Sequence, residues 1–425
     1  MDLRYEHLIT GRSESLFADD IRANAGALSE ALSGKRIAVV GAAGSIGSAV
    51  VKTLLRFAPG ALALIDLSEN NLVELVRDFR STDGLRLPAE FATLPIGLGS
   101  VEFARYFAET KPFDYFLNLS AIKHVRTERD VYCLVRMIDT NVLFLHEFLS
   151  RNPYRFKKVF SVSSDKATNP ANLMGATKMI MEKALSARSD VQPFSTARFA
   201  NVAFSDGSLP FGFLQRIAKR QPLSAPNDVR RYFISHQEAG ELCVLSCGLG
   251  DNRDVFFPNL AQGLDEKTFA DIARDLLSEL GYMPVECASE DEAKTLSAKR
   301  QAEGAKRQVE SAKPQAGSAG PLPLPASRSA QGWPCHFFKS DTTGEKEFEE
   351  FFAQGEQLVL DRFKCVGVVQ QEKWSQAGEL EAFLEFFKAA KLDPRVDKSQ
   401  YVREIHKLVP TLQHHETGRN LDQKM

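Results

Sequence analysis

The sequence predicts an α/β fold, a doubly wound parallel sheet with a smaller second lobe, and three observations carry that expectation. The apolar run Arg36-Ile37-Ala38-Val39-Val40 turns through Gly41-Ala42-Ala43-Gly44-Ser45-Ile46-Gly47 straight into a helical pattern, Ala49-Val50-Val51-Lys52-Thr53-Leu54-Leu55. A second apolar run, Ala61-Leu62-Ala63-Leu64-Ile65, ends in Asp66, 19 residues after Gly47. A later run, Val159-Phe160-Ser161-Val162, ends in the cluster Ser163-Ser164-Asp165-Lys166. Apolar strands that end in glycine, carboxylate or hydroxyl groups and alternate with helical patterns belong to sheets whose ligands sit at the carboxyl ends of the strands.

Composition bounds the rest. At 425 residues the chain can bury a full core and holds one large domain or two moderate ones. Its 53 basic and 55 acidic residues nearly cancel, so neither nucleic acid nor a membrane surface is expected as a partner. The six cysteines form no Cys-x-x-Cys pair and no ligand spacing with histidine, which argues against a metal site or a disulfide framework and for a reducing cytoplasm. The N-terminus lacks a basic stretch followed by an apolar one, and no run of about 18 apolar residues occurs, so no export and no membrane span are expected.

Residues 1–34 carry Leu16, Phe17, Ile21, Leu28 and Leu32 at helical spacing and read as an amphipathic segment packed on the sheet domain C-terminal to it. The Gly-x-x-Gly-x-x-Gly spacing then needs a physical reason, and a dinucleotide supplies it. Gly41, Gly44 and Gly47 let the backbone turn sharply and let a pyrophosphate approach the amides around Ser45 and Ile46 at a helix N-terminus. Asp66 is placed to accept both hydroxyls of an adenosine ribose and to repel a 2′-phosphate, with Ser68 close behind it, which selects NAD over NADP. The plainer reading, Asp66 as a cap of the next helix, does not need the glycines. Phe91 to Ile96 reads as a third strand and Phe113 to Leu119 as a fourth, so Leu119, Ser120 and Ala121 fall beside the cofactor. Lys123 and His124 come next, with Lys123 the candidate for substrate and a solvated loop the alternative for both. Asn141, polar among apolar neighbours in Met137 to Val142, reads as a cofactor-side residue with a structural task, holding a water or a backbone carbonyl.

The fifth strand ends in Ser163-Ser164-Asp165-Lys166, and Met174-Gly175-Ala176-Thr177-Lys178 follows eight residues later. Short-chain dehydrogenases place a tyrosine four residues before a lysine there; the tyrosine exchanges protons with a substrate hydroxyl and the lysine lowers its pKa. Here the spacing is Met174-x-x-x-Lys178, and a thioether moves no proton. No tyrosine occurs between Tyr154 and Tyr232, so no neighbour substitutes. Either catalysis is lost and the fold only binds a nucleotide, or Asp165 and Lys166 have taken over the chemistry.

The stretch from Ser163 to Lys178 resembles the signature of the CapD-like nucleotide-sugar 4,6-dehydratases of polysaccharide biosynthesis, a branch of the extended short-chain dehydrogenases with a Rossmann sheet. That family reads Ser-Thr-Asp-Lys-Ala, so Ser164 stands for a threonine and keeps its hydroxyl. Its methionine-type subgroup, which Met174 matches, retains the C5 configuration of UDP-N-acetylglucosamine, and the tyrosine-type subgroup inverts it. The resemblance implies NAD as cofactor and a nucleotide sugar as partner: C4 is oxidised, a C5 proton and the 6-hydroxyl leave, and C6 is reduced, with NAD regenerated. Lys166 would take the C5 proton, Asp165 would protonate the 6-hydroxyl, Ser164 would hydrogen-bond the 4-oxygen and Lys178 would hold the nicotinamide ribose. Lys166 is expected to have a lowered pKa and Asp165 to be held protonated by burial. The segments Ala197-Arg198-Phe199-Ala200-Asn201-Val202 and Gly207-Ser208-Leu209-Pro210 are similar to stretches that hold the diphosphate and base, which implies Asn201, Ser208 and Leu209 as substrate contacts. Arg230-Arg231-Tyr232-Phe233 matches an element whose arginine, here Arg231, pairs with a phosphate. A 4-epimerase or 4-keto reductase on a nucleotide sugar, and a non-catalytic nucleotide-binding scaffold, remain as alternatives.

Past Phe269 to Leu280, a helical pattern, residues 284–335 form a charged and Pro/Ala-rich insertion. It is not a domain boundary, because Gly344-Glu345-Lys346-Glu347-Phe348-Glu349-Glu350 resembles a segment of the same substrate lobe, with Glu345 implied at the nucleotide. Thr342-Thr343 replace the family's Arg-Pro. The expected division is therefore 1–34 helical, 35–200 NAD-binding, 201–283 with 336–412 as substrate lobe and C-terminal helices, and 413–425 a polar tail. A homo-oligomer is expected by analogy with such folds.

Overall fold

The computed structural model describes residues 5–259, 266–311, 331–340 and 349–414. Its strands are β1 (Arg36–Val40), β2 (Ala61–Ile65), β3 (Glu90–Leu94), β4 (Tyr115–Asn118), β5 (Lys158–Val162), β6 (Phe194–Ala197), β7 (Asn201–Val202) and β8 (Leu223–Pro226). They continue with β9 (Arg230–Ile234), β10 (Asp254–Pro258), β11 (Glu266–Thr268), β12 (Tyr282–Glu286), β13 (Gln331–Phe338), β14 (Gln357–Val359) and β15 (Val366–Gln370). One 9-stranded sheet runs β3-β2-β1-β4-β5-β6-β10-β15-β14. From β3 to β10 every pairing is parallel; β15 and then β14 add antiparallel. The predicted doubly wound sheet is thus present, and its strand order reverses between β1 and β4. That reversal opens a crevice at the carboxyl ends of the strands, where connections leave to opposite faces.

The central strands β1, β2, β4 and β5 are buried on both faces, which is why they read as unbroken apolar runs. Ile37 and Val39 join Leu62, Leu64, Leu117 and Phe160 on one face, under the helices Ser45–Leu55 and His236–Leu249. Ala38 and Val40 point the other way with Ala63, Ile65 and Phe116, against Phe103, Phe107, Leu145, Met181 and Leu185. The N-terminal segment splits its packing: Phe17, Ile21, Leu28 and Leu32 seal the first face, while Ile9 reaches the lobe.

The lobe consists of two 3-stranded sheets, β11-β9-β7 and β12-β13-β8, with the helices Leu209–Ala218 and Phe269–Glu279. Residues 284–335 begin and end inside it: β12 and β13 pair in parallel, and the Trp333 ring lies against Tyr282 at 4.7 Å between centroids. The helix Glu290–Ser311 follows β12. Residues 312–330 lie outside the described residues.

Two segments assigned by sequence to the lobe belong instead to the large sheet. β10 with the helix His236–Leu249, and β14 with β15, extend or cover it, because their apolar residues Val255, Phe256, Val366 and Val368 complete the same core. The C-terminal helices Ala377–Ala390 and Lys398–Leu408 pack on Leu134, Ile138, Leu173 and Ile180, not on the lobe. Among the described residues no helix is long and apolar enough to cross a membrane.

Candidate active site

The crevice begins at the glycine turn. Gly41 has φ 77°, and a Cβ there would lie 2.7 Å from the Leu119 carbonyl carbon and from Ser120 N; a Cβ on Gly47 would lie 2.0 Å from Gly41 O. Both glycines are therefore demanded by internal packing. Gly44 differs: its Cβ would meet nothing nearer than Gly41 O at 3.6 Å, so the open space beside it is room for a ligand. The helix Ser45–Leu55 starts there without a side-chain cap or an acidic residue in its first turn, which leaves its amides to an anion. Ser45 is buried and its Oγ accepts from Asp206 N at 2.9 Å, tying the turn to the lobe; Ile46 packs half-buried against the core.

Asp66 ends β2 and is not the cap of the next helix; Ser68 is, accepting from Asn71 N at 3.3 Å. The Asp66 carboxylate accepts from Ala43 N at 3.0 Å and from Ser68 N at 2.9 Å, which fixes it beside the glycine turn. At the end of β4, Asn118 Oδ1 accepts from Ser120 Oγ at 2.6 Å, and Leu119 N donates to Val40 O. Ala121 is half-buried on the same loop and Lys123 is exposed. Asn141 is fully buried in a π-helical turn, Asp139–Leu143. Its amide accepts from Ile122 N, donates to Ile122 O and donates to Thr177 Oγ1 at 2.9 Å. It clamps the cofactor-side loop to the helix Leu173–Ala187, which is a positioning task.

After β5 the chain turns in a short 3₁₀ helix, Asp165–Ala167, and this turn brings adjacent residues to one side. Ser164 Oγ donates to Asp165 Oδ1 at 2.7 Å, and Lys166 Nζ lies 3.1 and 3.0 Å from the two Asp165 oxygens. Asn172 caps the next helix by accepting from Gly175 N at 2.8 Å. That helix carries Met174, buried, and Lys178, whose Nζ donates to Val162 O at 3.0 Å. Burial pushes the Lys178 ammonium down to about 8, with Glu182 opposing.

A residue given no role by sequence completes the cluster. Glu349 is buried, with Oε1 3.8 Å from Lys166 Nζ, 3.6 Å from Arg231 Nε and 3.1 Å from Asn201 Nδ2. Its Oε2 accepts from Tyr232 N at 3.1 Å. Burial and the neighbouring Asp165 charge raise its carboxyl to about 8, against the pull of Lys166 and Arg231. The segment resembling Gly-Glu-Lys-x-x-Glu-Glu was the available signal. The expectation of a lowered Lys166 is corrected here: burial works to lower it, but the Asp165 and Glu349 charges outweigh burial and raise it.

Asn201 and Arg231 thus face the same cluster, and Arg231 Nη1 also donates to Arg230 O at 2.7 Å. Ser208 caps the helix Leu209–Ala218, accepting from Phe211 N at 3.3 Å, with Leu209 half-buried on the lobe core. Glu345, Thr342 and Thr343 lie outside the described residues. Arg198 is neither at the surface nor in the cluster: it is buried between Glu182 and Glu356.

A glycine turn at the switch point of a parallel sheet, with a hydroxyl, carboxylate and lysine at the end of β5, defines an extended short-chain dehydrogenase fold. The sequence profile of the family described as polysaccharide biosynthesis protein matches residues 37–306, and the chain belongs to that family. It is 29% identical over 258 residues to the Methanocaldococcus jannaschii "uncharacterized membrane protein MJ1061", covering 59% of this chain and 74% of that protein. To the Staphylococcus aureus "capsular polysaccharide biosynthesis protein CapD" it is 28% identical, over 61% of this chain and 43% of that protein, so the match spans less than half of CapD. A Campylobacter jejuni "UDP-N-acetylglucosamine 4,6-dehydratase (inverting)" is 26% identical over 53% of this chain and 67% of that protein. Among solved structures, Pen from Bacillus thuringiensis shares the fold with TM-score 0.59 at 17% identity, covering 83% of this chain and 98% of that one.

Proposed function

We propose that the chain dehydrates a nucleotide-linked sugar, UDP-N-acetylglucosamine, to its 4-keto-6-deoxy product in polysaccharide precursor synthesis, with C5 retained. The observation that carries this reading is the acid–base cluster after β5: Asp165 and Lys166 stand within 3.0 Å of each other beside buried Glu349, while the usual tyrosine position holds Met174. A 4-epimerase needs one proton exchanged at O4; elimination across C5 and C6 also needs a base and an acid, and this site has ionisable groups for both. The family membership and the Campylobacter relative, which its name describes as a dehydratase, support the same reading.

The residues fit NAD. Gly41, Gly44, Ser45, Ile46 and Gly47 would receive the pyrophosphate, Asp66 and Ser68 the adenosine ribose, and Leu119, Ser120, Ala121 and Lys178 the nicotinamide side. Bound there, NAD supplies a reversible two-electron oxidation of the sugar. Ser164 then hydrogen-bonds the 4-oxygen; one proton passes from the Lys166 ammonium to Asp165, 3.0 Å away, after which neutral Lys166 receives the C5 proton and Asp165 protonates the departing 6-hydroxyl. Ser208, Leu209, Asn201 and Arg231 hold the nucleotide diphosphate, with Lys123 at the crevice mouth.

Incubation with UDP-N-acetylglucosamine tests the reading: the product loses the mass of one water, and in deuterated solvent its proton spectrum carries deuterium at C5 with unchanged configuration. An unchanged mass would mean isomerisation, and consumption of NADH would mean reduction; either sinks the dehydratase. Asp165→Asn is expected to slow water loss about 10²- to 10⁴-fold while NAD stays bound.

A further inference from the structure

Within the dehydratase reading, on which this inference rests, the Asp165–Ala167 turn works only if it keeps its place against the helix Leu173–Ala187, which carries Met174 and Lys178. Residues 168–172 join the two, and the contact is tight. Thr168 N donates to Asp165 O at 3.0 Å, and Gly175 packs directly on Lys166 O. A shift of the first turn of the helix therefore moves Asp165 and Lys166 with it. Two groups from distant parts of the chain hold this junction. Glu128, in the short 3₁₀ helix Val125–Arg129 after β4, accepts from Leu173 N at 2.6 Å through Oε2. Gln413 N donates to Pro170 O at 2.9 Å.

We propose that residues 409–414 form a strap that fixes the Asp165–Ala167 turn against its helix, with His414 and Glu128 as its positioning residues. The segment leaves the helix Lys398–Leu408 and buries Val409 and Leu412 in the cluster that contains Leu173, Ala176 and Ile180. Gln413 then reaches Pro170, and the His414 side chain, 7% exposed, sets Nδ1 3.9 Å from Glu128 Oε1. Glu128 is itself 4% exposed, so its carboxylate depends on groups of the protein rather than on water. One oxygen sits at the N-terminus of the helix, where the amide and the helix dipole favour a negative charge; the other faces the imidazole. The sequence reading of 413–425 as a polar tail is corrected at its first two residues: they dock on the loop that joins the two halves of the site. His414 acts through Glu128 and the Leu173 amide, not on the reacting atoms.

The test uses the full chain loaded with NAD, with UDP-N-acetylglucosamine as substrate. His414→Ala should lower kcat for water loss about tenfold, with KM and NAD affinity within about twofold of wild type. Glu128→Ala should lower kcat at least as far, and the double variant no further than Glu128→Ala alone, because both act through Leu173 N. Losses that multiply in the double variant overturn the strap. So does a His414→Ala chain with wild-type kcat, even where its urea midpoint falls, since that is packing without positioning. Hydrogen exchange gives a readout that needs no turnover. In His414→Ala the amides of residues 168–178 should exchange about tenfold faster, while those of the turn from Gly41 to Gly47 keep the wild-type rate. Unchanged exchange in 168–178 overturns the proposal. If wild type releases no water from any nucleotide sugar, the dehydratase reading fails by itself, and the exchange rates still decide whether the strap holds the turn.

Discussion

Lys178 illustrates how a single residue trades stability for chemistry. Its ammonium is buried against one carbonyl, Val162 O, and Glu182 on the next turn is already committed to Arg198 and Ser163. A lysine with a depressed pKa is charged in both folded and unfolded chains below about 8, so there the folded state bears the full burial cost. As pH rises from about 8 toward 10.5, the unfolded chain holds the proton that the folded chain has shed, and stability rises. Lys178→Met should therefore stabilise the fold at neutral pH by about 1 kcal/mol or more and abolish that rise, while turnover is lost. Urea midpoints measured across this pH window, with product assays alongside, check it. A destabilised methionine variant would mean that the Val162 contact outweighs the burial cost.

At the scale of elements, the 3₁₀ turn Asp165–Ala167 and the helix Leu173–Ala187 act as one unit, and Gly175 is the hinge of their contact. A Cβ on Gly175 would lie 2.1 Å from Lys166 O, closer than any real contact, and that neighbour is backbone that cannot rotate away. Gly175→Ala must push the turn off the helix. We expect a stability loss of about 1–3 kcal/mol and a fall in kcat larger than the change in NAD affinity, since Gly175 meets the turn that carries Asp165 and Lys166 and not the glycine turn after β1. Calorimetry for NAD and single-turnover assays separate the two effects. A variant with wild-type kcat would show that the turn has more freedom than its packing implies.

Across the whole molecule, the large sheet and the segment that delivers Glu349 are joined by a buried ionic network. Arg198, just past β6, pairs with Glu182 from the helix below and with Glu356 before β14, and donates to Phe351 O at 3.1 Å. Phe351 in turn packs under Tyr232 and Phe257. Arg198→Leu would leave two carboxylates facing each other without a cation, and the expected cost is about 3–5 kcal/mol by urea unfolding. The same variant should loosen the residues around Glu349 and weaken turnover before the fold is lost. If unfolding moves by less than about 1 kcal/mol, the network is more solvated than its burial indicates.

Local chemistry made much of this protein legible in the chain alone. Strands buried on both faces must be apolar runs, so β1, β2, β4 and β5 announced themselves; β3, on an edge and less buried, was read about two residues late at its C-terminus. The turn Gly41 to Gly47, Asp66 after β2, and Ser164, Asp165 and Lys166 after β5 were readable because each motif's spacing is a property of adjacent residues. What tertiary structure alone decided is what comes together from distant parts of the chain. Glu349 lies far from Lys166 in sequence, and no local pattern tells a buried carboxyl facing an ion pair from the exposed Glu350 beside it. The membership of β10, β14 and β15 in the large sheet was likewise hidden, because a strand's apolar pattern records that it is buried and not which sheet edge buries it. The charge state of Lys166 reflects the same limit: a pKa is set by the sum of burial and neighbouring charges in three dimensions, and one of those charges arrives with Glu349.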